Sequence, residues 1–276
     1  MERLPVSEAQ WIKENTKPWI IEDLKKNGST VQHVVPDFYQ SYAKLFHPFE
    51  INTKETDALE PHGRHQNRVH TTFSQMQDGT VLVTETNDDG TTVITYETYV
   101  QRMKQYALLN YVYTSWRTVA EKYGLHFHEE INQSSFSARF REIGWPRNLL
   151  FPREGYLVRP LLLQLLLILK EHTVNNEVYI YQLVPNSIMK DGRIDDLVKC
   201  SLEEVTEYFP KDFIGYMYAA NRSWMVYTDT DLYFTLVGGS KALIETVINS
   251  SLEVLPCLPT TRIDHDSDHI NKRIDR

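Results

Sequence analysis

The sequence predicts an α+β protein, with an antiparallel sheet in the C-terminal third packed by helices and an N-terminal lobe of helices and a hairpin. Helix-like and strand-like segments do not alternate strictly along the chain, which argues against a doubly wound parallel sheet. Residues 214–218 and 223–237 are strand-like and are joined by a short turn at Ala220-Asn221-Arg222. Such a turn is typical of antiparallel neighbours, and we therefore expect the sheet in this part of the chain.

Two helices are predicted before residue 50. The first spans residues 7–26, where a capping-box pattern begins at Ser7 and where Pro18 must kink or split the helix. The second begins at Pro36 and ends at His47-Pro48. Its apolar face has helical spacing and consists of Phe38, Tyr42, Leu45 and Phe46.

A long loop, a hairpin and a further helix are predicted next. Residues 51–75 are polar and without periodicity, which indicates a surface loop. Residues 80–85 and 91–96 alternate around a turn that ends at Gly90, as in a β-hairpin. Residues 99–123 have a helical pattern.

The second half of the chain begins with a loop-rich stretch at 127–156 and then holds helices and strands. The Leu-rich run 161–169 would form about 14 Å of helix, too short for a bilayer, so we predict a buried helix. Residues 178–183 are apolar on both faces, which indicates a central strand. An acidic connection at 186–198 separates this strand from the remaining elements. These are a helix at 201–208, strands within 214–237, a helix at 240–248 and a strand at 252–255.

The predicted organisation is an N-terminal lobe of residues 1–125, a C-terminal α+β lobe of residues 126–260 and a tail of residues 261–276. The tail after Pro259 is charged and non-periodic. We expect it to be disordered or to lie on the surface.

Composition restricts the partners and the compartment. The 276 residues include 37 Asp and Glu but 29 Lys and Arg, a net charge of −8, which disfavours nucleic acid and leaves a basic protein as a possible partner. The first five residues contain no apolar signal-peptide core, and Cys200 and Cys257 have no motif spacing. We therefore predict a cytoplasmic protein with reduced thiols that does not act at a membrane.

Several phrases occur in a characteristic order. They are Val35-Pro36-Asp37-Phe38, Ser115-Trp116-Arg117, Glu154-Gly155-Tyr156-Leu157, Asn221-Arg222-Ser223-Trp224, Val237-Gly238-Gly239-Ser240 and Leu252-Glu253-Val254-Leu255-Pro256. In these phrases the chain resembles a family of uncharacterised bacterial proteins, most abundant in actinomycetes. The resemblance covers about half of the chain, and the block from residue 51 to 110 departs from it. It implies a bacterial cytoplasmic protein and supplies no catalytic residue.

The first candidate site lies where a predicted strand runs through Gly238 and Gly239 into a helix that begins after Ser240. Backbone N–H groups and the helix dipole at such a start attract anions, and Lys241 would add positive charge. The spacing matches neither a P-loop nor a dinucleotide fingerprint. An ordinary N-cap, with glycines that permit close packing, is the alternative interpretation.

The second candidate site combines two carboxylates with a cation and a ring. Asp229 and Asp231 would point to one face of a strand, near Arg222 and Trp224 in the sequence. Such a pair suits a cation or acid–base chemistry. The alternatives are a solvated strand edge and ion pairs with Arg222.

Metal and nucleophile patterns are weak. Histidines cluster at His62, His65, His70, His126, His128, His265 and His269. Zinc requires three or four converging ligands, and no such spacing is present, so we predict neither a metal nor a cofactor. Ser134, Ser135 and Ser137 are near His126 and His128 in sequence, but nearness along the chain does not establish a catalytic triad.

Two functions remain open. The first is a non-enzymatic, immunity-like or regulatory protein that binds another protein through an acidic and aromatic surface. The second is a small-molecule enzyme or sensor that binds an anionic ligand at Gly238-Gly239-Ser240. A flat acidic surface would favour the first function, and a deep pocket with Arg222, Trp224 and Asp229 would favour the second.

Overall fold

The computed structural model describes residues 1–60, 70–75, 81–87, 90–95, 97–98, 111–183, 195–209 and 212–271. Parts of several predicted features lie outside these residues, among them the turn of the hairpin at 88–89 and residues 272–276 of the tail. Also outside are the loop histidines His62 and His65, residues 99–110 of the helix predicted at 99–123, and most of the connection at 186–198. In its described part the helix predicted at 99–123 is wrong over residues 111–114, which form a strand, and right over residues 116–123.

The helices of the described residues are short. They are α1 (Gln10–Glu14), α2 (Ile21–Asn27), α3 (Trp116–Tyr123), α4 (Gln133–Ile143), α5 (Arg159–Lys170), α6 (Val205–Tyr208) and α7 (Lys241–Ile248). The predicted helix at 7–26 is split around Pro18, which supplies no backbone N–H. Within the described part of the chain, no helix has the length and apolar character needed to cross a membrane.

The strands are numbered in chain order. They are β1 (Glu2–Arg3), β2 (Ser41–Phe46), β3 (Phe49–Asn52), β4 (Leu59–Glu60), β5 (His70–Gln75), β6 (Val81–Asn87), β7 (Gly90–Thr95), β8 (Tyr111–Thr114), β9 (Trp145–Pro146), β10 (Leu149–Leu150), β11 (Leu157–Val158), β12 (Glu177–Leu183), β13 (Asp195–Ser201), β14 (Asp212–Phe213), β15 (Gly215–Ala219), β16 (Met225–Thr228), β17 (Phe234–Gly239) and β18 (Val254–Cys257).

The chain divides into two compact units that are discontinuous in sequence, whereas the predicted lobes were continuous. The first unit contains residues 1–47, 115–135 and 152–276, and the second contains residues 48–114 and 136–151.

The first unit is built on an eight-stranded sheet with the order β1-β13-β12-β15-β16-β17-β2-β18. Every neighbouring pair in this sheet is antiparallel. One face packs against the leucines of α5 and the apolar side of α7. The other face carries an aromatic cluster that includes Trp11, Tyr39 and Tyr218. The predicted α+β class, with a C-terminal antiparallel sheet packed by these two helices, is confirmed.

The predicted helix from Pro36 to His47 is wrong, because residues 41–46 form β2 inside the sheet. Strand β2 pairs with β17 on one side and with β18 on the other. Both of its faces are covered, and a strand buried on both faces reads as a continuous apolar run rather than as an alternating one. Such a short run is also compatible with helical spacing.

A buried charged side chain belongs to β2, the second strand from one edge of this sheet. Lys44 of β2 is 1% exposed, and its Nζ donates to the carbonyl oxygens of Glu129 at 2.8 Å and Ile131 at 3.1 Å. The same Nζ lies 4.0 Å from the centre of the Phe234 ring. Burial lowers the pKa of Lys44 to about 7. The lysine therefore ties the segment before α4 to the sheet.

The second unit contains small antiparallel sheets and an aromatic core. Strand β3 lies between β8 and β10, and β5, β6 and β7 form a three-stranded sheet. The predicted hairpin is present as β6 and β7, with Asn87 opposite Gly90. The predicted loop at 51–75 is partly wrong, because it contains β4 and β5. The rings of Phe49, Phe136 and Phe151 pack against one another.

The segment after Pro259 is predicted to be disordered or to lie on the surface, and for its described residues this prediction is only partly right. His265, Asp266, His269 and Ile270 are exposed, but other residues of the segment are buried. Ile263 is 7% exposed, and Ser267 and Asp268 are 0% exposed. Polar residues can be buried when they are hydrogen-bonded, and these bonds join distant parts of the chain that sequence periodicity does not register.

Candidate functional site

The glycine turn is an internally capped helix start. The side chain of Ser240 accepts from the N–H of Leu243 at 3.2 Å, and Gln40 accepts from the N–H of Lys241 at 3.2 Å. The N–H of Ile244 donates to the carbonyl of Ser240. The start of α7 therefore has protein partners for its N–H groups at these three positions.

The two glycines permit close packing. A Cβ on Gly238 would lie 2.7 Å from Cδ2 of Tyr39, and one on Gly239 would lie 2.8 Å from Cδ2 of Leu243. Both distances are shorter than van der Waals contact. The Nζ of Lys241 lies 3.7 Å from Glu245 on the exposed side of α7. These contacts account for the residues of the turn without an anion.

Arg222 and Trp224 lie at the opposite end of β16 from the two aspartates. Trp224 is fully buried in the core, and its Nε1 donates to Oγ1 of Thr173 at 3.1 Å. Arg222 has a φ of 58° in the turn, and its guanidinium carbon lies 4.6 Å from the centre of the Trp11 ring. The structure therefore does not join Arg222 and Trp224 to Asp229 and Asp231 in one site.

Asp229 and Asp231 do share a site, in the turn between β16 and β17. Both line a cleft of about 420 Å³ in the first unit, which we call the acidic cleft. Asp229 accepts from the hydroxyl of Tyr227 at 2.6 Å, which holds its carboxylate in place. Asp231 is exposed to solvent.

Four carboxylates and two aromatic rings line the acidic cleft. They belong to Glu154, Asp229, Asp231, Asp264, Trp19 and Tyr227. Among the described residues of this lining there is no Lys or Arg. A smaller hollow of about 90 Å³ adjoins the cleft and shares Glu154, Asp231 and Asp264 with it. These three carboxylates thus line both hollows.

The charge of Asp264 is offset within the protein. Arg262 holds Asp264 by two hydrogen bonds, from Nε at 3.1 Å and from Nη2 at 2.7 Å. Burial, Tyr216 and Asp229 raise the pKa of Tyr227, which therefore stays a neutral donor. The lining itself holds four carboxylates and, among its described residues, no Lys or Arg, so acidic side chains dominate it.

An apolar rim adjoins the cleft at Trp19. Trp19, Ile20 and Ile21 are 57%, 56% and 68% exposed, which is unusual for three consecutive large apolar residues. Trp19 itself belongs to the cleft lining, and its ring lies 5.2 Å from that of His33. The helix predicted at 7–26 includes Trp19 among its apolar positions. The signal against this was the run of three apolar residues after Pro18, which no single helix face can bury.

Glu154, Asp264 and Trp19 were also missed as site residues. They come from three distant parts of the chain and have no motif spacing, so only the fold brings them together. The histidine and serine candidates serve a different purpose: His128 and Ser135 both hydrogen-bond to the carboxylate of Asp268. Ser135 therefore has an aspartate rather than a histidine as its partner.

The arrangement is chemically suited to binding cations. Among the described residues, no group of three or more His, Cys, Asp and Glu side chains is placed to hold a metal ion.

Burial raises the pKa of the Cys200 thiol to about 11 and that of Cys257 to about 12, so both remain protonated and poorly nucleophilic.

No protein-family model, curated protein or solved structure matches this chain. The resemblance to an actinomycete family therefore stays a prediction.

Proposed function

We propose that this protein is a non-enzymatic binding protein that holds a basic, partly apolar segment of another protein in the acidic cleft. The observation that carries the proposal is the lining itself. Glu154, Asp229 and Asp231 face a single cleft whose described lining contains no Lys or Arg. Opposite charge attracts a basic segment and repels anions.

The apolar rim adds a second kind of contact. Trp19 lines the cleft together with the carboxylates, and the two residues that follow it, Ile20 and Ile21, are also exposed. A partner segment with an apolar residue next to its Lys or Arg would bury part of this surface, and such burial contributes about 25 cal/mol per Å². A Trp face can also bind a cation directly.

The size of the cleft supports a short segment as its occupant. Pockets of about 300–1,000 Å³ enclose drug-sized ligands. The cleft, at about 420 Å³, is at the lower end of that range and would accept one or two side chains of a partner. The proposed partner is therefore recognised by a few residues.

The anionic ligand at the glycine turn has weaker support. The N–H groups of Lys241, Leu243 and Ile244 already have partners within the protein. The buried cysteines suit a reducing compartment, which supports the bacterial cytoplasm as the location. The negative charge also argues against nucleic acid.

A peptide of alternating Arg and Leu residues tests the proposal by titration calorimetry. We expect this peptide to bind and a Glu–Leu peptide of the same length not to bind. Binding should weaken with added salt, because exposed charges are screened. Asp231→Asn should weaken it by about two- to fivefold, and Asp231→Lys should weaken it further.

Asp37→Asn is the matched control, since it removes the same charge from an exposed position outside the cleft lining. Equal binding of the two peptides, or undiminished binding to the Asp231→Lys variant, would exclude the acidic cleft as the binding site.

A further inference from the structure

One wall of the acidic cleft comes from the last described part of the chain. We call residues 261–271 the C-terminal strap. Ile263, Asp264 and His265 of the strap line both the cleft and the adjoining hollow. The shape of the cleft therefore depends on where the strap lies.

A buried carboxylate anchors the strap. Asp268 is 0% exposed, and each of its two oxygens accepts two hydrogen bonds. Oδ1 accepts from Nε2 of His128 at 3.0 Å and from the backbone N–H of Asn271 at 2.9 Å. Oδ2 accepts from the hydroxyl of Ser135 at 2.5 Å and from Nδ2 of Asn271 at 2.7 Å.

The geometry around His128 agrees with this donor arrangement. Its Nδ1 accepts from the backbone N–H of Glu130 at 3.3 Å, so the proton of the neutral ring is on Nε2. Every group that faces the Asp268 carboxylate is then a donor. A carboxylate satisfies four donors, whereas an amide would turn an NH₂ group towards two of them.

Apart from Ile263, which belongs to the apolar cluster on one face of the sheet, the strap is held by further polar contacts. Asn271 donates to the carbonyl of His126 at 3.0 Å and accepts from its N–H at 2.8 Å. Ser267 donates to the carbonyl of Glu130 at 2.8 Å. Of the two isoleucines of the strap, Ile263 is buried, but Ile270 is 50% exposed.

Polar attachment with little apolar burial gives an element a low opening free energy. The net contribution of each hydrogen bond is small, because the separated groups bond to water instead. Segments with few buried apolar contacts open locally without global unfolding. The strap has this character, while the sheet beneath it is packed on both faces.

We propose that the C-terminal strap is a detachable wall of the acidic cleft, which Asp268 holds in its docked position and which an occupant of the cleft stabilises there. The second part rests on the proposed function, because an occupant would touch strap residues only in the docked state. Binding and docking are then coupled, and each favours the other equally.

Hydrogen exchange of the backbone amides tests the docking equilibrium without any ligand. In the native protein, we expect the strap amides to exchange faster than those of β2 and β17. Asp268→Asn should accelerate exchange of the strap by about ten- to hundredfold and leave β2 and β17 unchanged. Ser135→Ala removes a single donor and should have a smaller effect in the same direction.

Asp266→Asn is the matched control on the strap, since its side chain is 62% exposed and the change in charge is the same. The proposal of a detachable wall would be overturned if the strap amides exchanged as slowly as those of β2 and β17. It would also be overturned if the strap of Asp268→Asn exchanged at the same rate as that of Asp266→Asn.

The Arg–Leu peptide then tests the coupling. We expect it to slow the exchange of the strap and to bind Asp268→Asn more weakly than Asp266→Asn. Binding without slower exchange would overturn the coupling alone. Absence of binding to the native protein would overturn the proposed function and the coupling with it, whereas the docking equilibrium is decided by the exchange without peptide.

Discussion

Replacing Lys44 by methionine should change how the stability of the protein depends on pH. Lys44 is on β2, which pairs with β17 and β18, and its buried Nζ donates to two carbonyl oxygens. Burial lowers the pKa of Lys44 to about 7, although Cys257 and Glu130 partly offset this effect. Methionine has a similar length and carries no proton to titrate.

Whether stability rises or falls with pH depends on how many protons the folded and unfolded states bind. Above pH 7 the folded protein holds a neutral Lys44 amine, whereas the unfolded chain stays protonated up to about pH 10.5. The unfolded state therefore binds more protons in this range, and the free energy of unfolding rises with pH. Each pH unit contributes at most about 1.4 kcal/mol, which amounts to about 2 kcal/mol between about pH 7 and about pH 8.5.

Urea unfolding of the native protein and of Lys44→Met over this pH range measures the effect. The difference between their free energies of unfolding should shift by about 2 kcal/mol in favour of the native protein as the pH rises. Lys241→Met, which removes a lysine with a 75% exposed side chain, controls for the loss of one positive charge. A pH-independent difference between the native protein and Lys44→Met would refute the assignment of a neutral buried amine.

Two further predictions concern the glycine turn and the strap. Gly238→Ala should destabilise the protein by about 1–3 kcal/mol in urea unfolding, because the added Cβ would lie 2.7 Å from the Tyr39 ring; unchanged stability would show that the ring can move away. Burial opposes ionisation of Asp268, yet hydrogen bonds from His128, Ser135 and Asn271 lower its pKa to about 2. The stability from this group is present above about pH 4 and should be lost as the pH falls towards 2, by about 2 kcal/mol in all. The free energy of unfolding of Asp268→Asn should not show this loss at acid pH. The same loss in the variant and in the native protein would contradict the prediction.

The sequence predicted best those elements whose signals are local. The Leu-rich run that became α5 and the Ser240 cap of α7 are clear in the sequence, since helix starts and apolar faces depend on residues within a few turns. The hairpin of β6 and β7 was likewise predicted from its turn. Strand β2 was missed, because burial on both faces removes the alternation that identifies a strand.

The candidate site was predicted only in part. Asp229 and Asp231 were identified as a pair, and both line the acidic cleft. Arg222 and Trp224 were grouped with them because they are close in sequence, but β16 separates the two pairs. Lys44, fully buried, carried no sequence signal, since a lysine within an apolar run looks like a solvent-exposed position.

The α+β class, the Ser240 cap of α7 and the acidic charge can be predicted from the sequence, because they depend on composition and on neighbours along the chain. The gathering of the carboxylates in one cleft and the burial of Ser267 and Asp268 in the C-terminal strap depend on the tertiary structure. Glu154, Asp229 and Asp264 meet in one cleft through packing of distant segments, and Asp268 is buried because its four donors come from residues 128, 135 and 271. Such long-range hydrogen bonds cannot be predicted from the sequence, because they follow no periodicity or spacing along the chain.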